Sequence, residues 1–369
     1  MRSHPITTRQ FPGKNKFKLG LFSFNTYGGL TNTLAEERWS ASWPNMINVA
    51  IAAEKAGLEF LLPLAGWMGH EGDAPTDGHF HETITWAAGL LSITKRIHVF
   101  ATIHAPFLNP LLAAKQAVTC DHLGAGRLGL NLVAGYNIKE FEMFGVEYHG
   151  HSERYEYLDE WLTIVRKLWT KKEPFSHQTD YFNLRDAISF PKPYGNSLPM
   201  IVSAGSSSSG RAFALGKADA LFMVVKSMDT VASDLFSIKS KMGNRPIKVY
   251  CSGHIICRKT TAETNDYYQH LIHDNGDWTA GRYMQKSYEE IQSVPLEVLK
   301  TPIFLERLMS GHGTLPIIGT PEQVVDTMTT LHNAGLDGLA FALPNYIDDF
   351  ALIEKEVIPK LIEIGLRER

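Results

Sequence analysis

The sequence predicts an α/β fold, a (β/α)8 TIM barrel with insertions, and three observations predict it. About eight short apolar runs are each followed by a segment with helical apolar spacing, the rhythm of a parallel barrel. The chain has 369 residues, 44 % of them apolar, enough for one large core. No GxGxxG follows a strand, and neither the edge nor the switch point of an open doubly wound sheet is signalled.

The elements run in order. Residues 1–16 read as a polar N-terminal tail, and residues 17–369 as one domain. The run at 17–24 is a buried strand, and 44–56 is an apolar-periodic helix ended by Gly57. A strand at 59–64, a helix at 82–92 and a strand at 97–103 follow. Pro110 suits the first turn of the next helix. A strand at 128–133 and a long amphipathic helix at 154–169 close the first half. The second half gives strands at 200–203, 220–225, 247–256 and 338–341, with helices at 208–215, 229–241, 321–334 and 347–364. Three connections are long: 26–42, 171–198 and 260–315. The first and third leave the C-terminal ends of strands, where barrels place their active sites. Gly276, Gly281, Gly311 and Gly313 in the third predict a mobile lid insertion at 260–315.

Composition narrows the function. A net charge of −3 excludes a strongly basic nucleic-acid surface. Three cysteines without a framework suit a reducing compartment. No apolar leader and no run long enough for a bilayer are present, so a cytoplasmic protein off the membrane is expected. His79 and His81 form an HxH, but no matching ligand cluster follows, and no metal is expected. No GxSxG nucleophile elbow occurs.

Two groups of residues carry chemistry. Ala204-Gly205-Ser206-Ser207-Ser208-Ser209-Gly210 follows a strand and opens a helix. Small residues let backbone N–H groups approach an anion, and a helix N-terminus favours negative charge. The same serines would also serve as simple helix caps. Thr102 and Asn131, near the ends of the third and fourth strands, should project at the barrel mouth. A hydroxyl beside a carboxamide grips a polar cofactor edge or ties two strand ends together. His104 and His70 are candidate proton donors or substrate contacts, because histidine titrates near neutrality.

The stretch from Asp121-His122-Leu123-Gly124 through Asn131-Leu132-Val133-Ala134-Gly135-Tyr136 resembles the bacterial luciferase-like flavin monooxygenases. Glu140, Arg154-Tyr155, Ala204-Gly205-Ser206-Ser207 and Ile318-Gly319-Thr320-Pro321-Glu322-Gln323 extend that resemblance over residues 17–364. Within the family, the chain is similar to the pyrimidine and dimethylsulfone monooxygenases. The resemblance implies that Ala65 and Gly66 lie along the isoalloxazine of FMN and that Asn131 bonds its polar edge. It implies that Glu140, Arg154 and Tyr155 hold the ribityl and phosphate end, that Ser206 and Ser207 bind the phosphate, and that Thr102 with Asn131 flanks the oxygen pocket. It further implies reduced FMN delivered by a separate NAD(P)H-dependent flavin reductase, O2 as co-substrate and a flavin peroxide acting on a small organic substrate. That substrate is a cyclic amide or a small sulfone, and the enzyme is expected to be a homo-oligomer. Ala65-Gly66 and Tyr136 depart from the pyrimidine enzymes, so the substrate stays open. F420-dependent hydride transfer and a non-enzymatic flavin-binding role are the alternatives.

Overall fold

The computed structural model describes residues 7–74, 79–205, 207–243, 245, 247–290 and 296–368. Its strands are β1 (Lys18–Phe22), β2 (Phe60–Leu62), β3 (His98–His104), β4 (Leu128–Val133), β5 (Phe175–Gln178), β6 (Asn183–Ala187), β7 (Met200–Ala204), β8 (Ala220–Met223), β9 (Lys248–Cys257), β10 (Leu315–Gly319) and β11 (Gly338–Ala342). Eight of them pair in parallel in the order β1-β2-β3-β4-β7-β8-β9-β11, and β11 returns to β1. The sheet is therefore a closed barrel, as the alternating sequence pattern predicts. Lys248, Ala220, Val202, Asn131 and Thr102 share one rung. Carrying the same register on through β2, β1 and β11 returns to β9 at Ile256, eight residues further along. That stagger is the shear of an eight-stranded barrel.

Side chains alternate across each strand, so one set fills the barrel and the other meets the helices. Phe60, Leu62, Phe100, Met200, Val202, Ala220, Phe222, Tyr250 and Ala340 form the inner cluster. Their neighbours Leu61, Val99, Ala101, Leu128, Leu130, Ile201, Leu221, Val249 and Leu339 belong to the outer core under the helices. Gly20 and Gly129 face inward, where a Cβ would collide with the rings of Phe60 and Phe100. Thr102 and Asn131 continue the inward parity of Phe100 and Gly129.

The expected tail is not one over its described part. Phe11 enters the N-terminal end of the barrel and stacks on Phe60, with ring centroids 5.1 Å apart and planes 9° apart. Its edges meet Phe100 and Tyr250. Thr8 bridges to Leu198, and Arg9 pairs with buried Asp121. A polar, basic stretch looks solvated in sequence, and the single aromatic that plugs the barrel floor carries no periodicity to reveal it.

The helices include α1 (Trp43–Lys55), α2 (Thr83–Ile93), α3 (Pro110–Leu123), α4 (Ile138–Phe144), α5 (His151–Thr170), α6 (Ser208–Lys217), α7 (Val231–Lys239), α8 (Thr261–Tyr268), α9 (Trp278–Glu290), α10 (Leu296–Leu299), α11 (Pro302–Gly311) and α12 (Pro321–Ala334). The last expected helix is three short pieces, Asp348–Leu352, a wider turn over Ile353–Val357, and Ile358–Glu363. The long connection at 171–198 contains the antiparallel hairpin β5–β6. The connection at 260–315 is mostly helical among its described residues, and three of its four glycines are sites of close packing. A Cβ on Gly276 would strike the Ile272 carbonyl, one on Gly281 the Met309 sulfur, and one on Gly311 the His254 ring. Gly313, at a φ of 79°, has no such neighbour. Leu271, Ile272 and Met309 pack with Ile256 of β9 and Ala35, all buried.

Replacing Phe11 by Ala should lower stability by about 2–3 kcal/mol, the cost of a largely buried ring and the cavity it leaves. Urea denaturation should show a lower midpoint at unchanged slope. An unshifted midpoint would show that the floor is sealed without Phe11.

Candidate active site

The C-terminal end of the barrel brings Thr102 and Asn131 together. They are register partners on β3 and β4. Asn131 Nδ2 donates to Thr102 Oγ1 at 3.2 Å, and Thr102 Oγ1 donates to the Pro63 carbonyl at 2.6 Å. The one hydroxyl proton of Thr102 is thus committed to the backbone. Asn131 Oδ1 is buried and accepts no hydrogen bond. A buried acceptor without a partner costs about 1–3 kcal/mol, so such an atom marks a place where a ligand donor fits.

The chain after β2 frames this pair. Asn25 clamps Leu64 on both sides, donating to its carbonyl at 2.7 Å and accepting from its amide at 2.9 Å. Ala65 and Gly66 follow, both half-buried. A Cβ on Gly66 would lie 2.8 Å from the Phe80 ring, so only glycine passes there. Glu140 on α4 is buried, and its Oε1 accepts from the amides of Trp67 at 2.8 Å and Met68 at 3.4 Å. Through Oε1 the Glu140 carboxylate holds the loop after β2 in place. Burial raises its pKa, and the two amides pull it back.

Three of the other expected residues, Arg154, Tyr155 and Ser207, lie where α5 meets α6. Ser207 is the N-cap of α6, its hydroxyl accepting from the Gly210 amide at 3.1 Å. Its partner is Tyr155, a phenol raised in pKa by burial and eased back by the Ser207 hydrogen bond. A Cβ on Gly205 would sit 2.6 Å from the Gly210 carbonyl carbon, so the loop meets the helix at van der Waals contact. Arg154 is buried, donates from one terminal nitrogen to the Gly135 carbonyl at 3.0 Å, and lies 4.4 Å over the Tyr148 ring. Its Nε has no acceptor. Ser206 lies outside the described residues.

The two histidines part company. His104 ends β3, is buried, and packs on Phe107. Burial lowers its pKa to about 4, so its ring is neutral at neutral pH. What such a ring offers at neutral pH is one N–H and one lone pair rather than a positive charge. His70 lies apart, its ring beside Tyr283 of α9 and His312. The loop that carries it is bound to the insertion by Asp277, which is buried. Asp277 Oδ2 accepts from the amides of Asp73 at 2.6 Å and Ala74 at 2.7 Å, while Oδ1 accepts from Thr279 and Ala280 at the start of α9.

Asn25, Asp277 and His254 escaped the sequence reading. Asp277 had a signal, an acidic residue just before a helix start. Asn25 and His254 had none, since a lone polar residue in a connection or strand looks the same whether or not it faces a site.

The strand ends thus carry a polar pair with an open acceptor, and a helix N-terminus and a buried arginine lie where α5 meets α6. The chain belongs to the luciferase-like monooxygenases, whose family pattern matches residues 17–338, and it is an enzyme of that flavin-dependent class. It is 26 % identical over 354 residues to the FMNH(2)-dependent dimethylsulfone monooxygenase of Pseudomonas putida, covering 94 % of this chain and 95 % of the relative. It is 36 % identical over 192 residues to the pyrimidine monooxygenase RutA of Shigella flexneri serotype X, a match that covers 50 % of this chain and 48 % of that protein. The fold is similar to that of a riboflavin lyase, with a TM-score of 0.84 at 20 % identity over 95 % of this chain and 92 % of the other. It is also similar to that of DmoA from Hyphomicrobium sulfonivorans, with a TM-score of 0.79 at 18 % identity over 96 % and 89 %. No helix among the described residues is long and apolar enough to cross a membrane.

The His104 environment predicts an acid sensitivity. Between pH 6.5 and 4 the unfolded chain binds a proton on this imidazole and the folded chain does not, so stability falls as pH falls through that window. His104→Gln should remove about 2–3 kcal/mol of the stability difference between pH 7 and pH 4.5. Urea titrations of both proteins at the two pH values give the comparison, and parallel losses would mean that His104 is not held neutral.

Proposed function

We propose that this chain is the oxygenating component of a two-component system, taking reduced FMN from a separate NAD(P)H-dependent reductase and using O2 to oxygenate a small organic substrate. The observation that carries this reading is the unpartnered Asn131 Oδ1 beside the Thr102 hydroxyl, with the α5–α6 cluster ready for a phosphate. The fit to FMN is good at both ends. Asn131 Oδ1 suits the N–H of the isoalloxazine edge, and Arg154 Nε suits an oxygen of the ribityl or phosphate end. Ser207 uses its hydroxyl to cap Gly210, which leaves the amides of Ser208 and Ser209 without intrahelical partners, aimed out of the helix N-terminus. Tyr155 fixes the Ser207 side chain, and Ala65 and Gly66 lend a flat wall because nothing larger fits against Phe80.

Bound reduced flavin supplies the two electrons that activate O2. The protein's part is position and dryness. Thr102 spends its proton on Pro63, so toward a ligand it offers a lone pair rather than a donor. His104 presents a neutral ring and at most one N–H. The loop after β2, pinned by Glu140 and Asp277, walls the mouth and excludes water. The relatives point to two substrate chemistries, a cyclic amide of the pyrimidine type and a small sulfone.

Anaerobic titration with reduced FMN and with reduced F420, followed by oxygen mixing and product analysis, tests the reading. Binding of reduced FMN and oxygen-dependent product from a cyclic amide or a sulfone is the expected result. Preference for F420 with oxygen-independent turnover would replace it with hydride transfer. Ser207→Asp retains a good N-cap but sets a carboxylate against the phosphate. FMN affinity, followed by fluorescence, should fall at least ~100-fold, the several kcal/mol of a like-charge contact in a desolvated site. Unchanged affinity with an intact fold would remove α6 from the cofactor site.

A further inference from the structure

His254 is the most buried histidine among the described residues, 1 % exposed, and its Nε2 has no partner. Its other ring nitrogen is fixed. Nδ1 lies 2.9 Å from Thr314 Oγ1, and that hydroxyl donates its proton to the Gly311 carbonyl at 2.7 Å. A carbonyl cannot donate and a threonine has one proton, so Nδ1 must be the donor to Thr314. The tautomer follows: Nδ1 carries the hydrogen, and Nε2 is a bare lone pair. Burial, with Arg307 nearby, lowers the His254 pKa to about 3, so the ring does not charge at neutral pH.

Its place in the barrel gives that lone pair a use. On β9 the residues Val249, Cys251, Ile255 and Cys257 face the helices, while Tyr250 belongs to the inner cluster and Ile256 meets the insertion. His254 shares the inward parity of Tyr250 and Ile256. β9 stands four strands from β3 in either direction, directly across the ring. The rung through Thr102 reaches β9 at Lys248 one way and at Ile256 the other, so Ser252, midway, is level with Thr102. His254 is the next inward residue toward the mouth, under the end of α11, and Gly311 is glycine because a Cβ would enter its ring.

We infer that His254 is a specificity-determining residue: its fixed, unprotonated Nε2 accepts a hydrogen bond from an N–H or O–H of the substrate across the mouth from Asn131. The inference rests on the oxygenase reading and deepens it, because it separates the two substrate chemistries. A cyclic amide has an N–H to give; a dialkyl sulfone has no donor and would leave the lone pair buried and unpaired. A polar site built to receive a donor discriminates strongly against an analogue that lacks it.

The test needs no turnover. Nitrogen-15 NMR of histidine-labelled protein should show one buried ring with a protonated Nδ1 and a bare Nε2. Calorimetry with FMN present should show uracil binding at least ~10-fold tighter than 1,3-dimethyluracil or dimethyl sulfone, the worth of one buried hydrogen bond. The preference should collapse in His254→Phe and in Thr314→Val, which frees the tautomer while leaving the ring, and should return in Thr314→Ser. A protonated Nε2, equal binding, binding of neither pyrimidine, or a preference untouched by Thr314→Val would each overturn the proposal. Failure of the oxygenase reading is seen separately, as no oxygenated product with reduced FMN and O2 whatever the binding preference.

Discussion

Ring closure between β8 and β9 is the constraint on which the rest depends. Once Ala220 pairs with Lys248, every inward residue has a fixed height and a fixed bearing around the axis. Thr102 and Asn131 meet because their rung is level across two strands, and half the stagger brings Ser252 of β9 level with them, with His254 one inward position nearer the mouth. A one-residue slip would turn all of these side chains into the helix layer and bring Val99-type residues to the centre. The aromatic floor of Phe11, Phe60, Phe100 and Tyr250 guards against such a slip, since Gly20 and Gly129 leave room for those rings in only one register.

Above that frame, polar groups are used in pairs that fix direction. Asn25 holds Leu64, Glu140 holds Trp67, and Asp277 holds Asp73 and Ala74. Each side chain meets backbone amides of the loop after β2, the loop that lies between the mouth pair and the insertion. Buried polar atoms without a partner at Asn131, Arg154 and His254 are among those that remain after this accounting. They are the three to which the proposed function and the proposal for His254 give a ligand group.

Much of this was legible in the sequence. Short apolar runs alternating with helical apolar spacing placed the eight barrel strands, and the bounds of Leu128–Val133 and Pro321–Ala334 agree with expectation to the residue. The positions of Thr102 and Asn131 at strand ends and of Ser207 at a helix start were legible because strand ends and helix starts are local features. What was not legible is long-range. Phe11 meets Phe60 across 49 positions of a chain that carries no sign of it, and the π-type turn over Ile353–Val357 breaks a pattern that reads as one helix. The hold of Glu140 on the amides of Trp67 and Met68 was not legible, because a carboxylate that binds backbone amides leaves no trace in the residues it binds. Gly276, Gly281 and Gly311 answer to close contacts that only the neighbours reveal.

Asp277 has a consequence for how such a barrel changes over generations. One carboxylate caps α9 with one oxygen and secures the chain at Asp73 and Ala74 with the other. Gly72 is obliged to be glycine by the same group, because a Cβ would enter the carboxylate. Two stretches some two hundred positions apart are therefore inherited as a unit: a transplant of either one alone between related barrels would arrive with an amide pair unanswered or a carboxylate misplaced. New substrate ranges in this scaffold are then reached by exchanging both stretches together, or by substitutions at the strand ends that leave their bond intact.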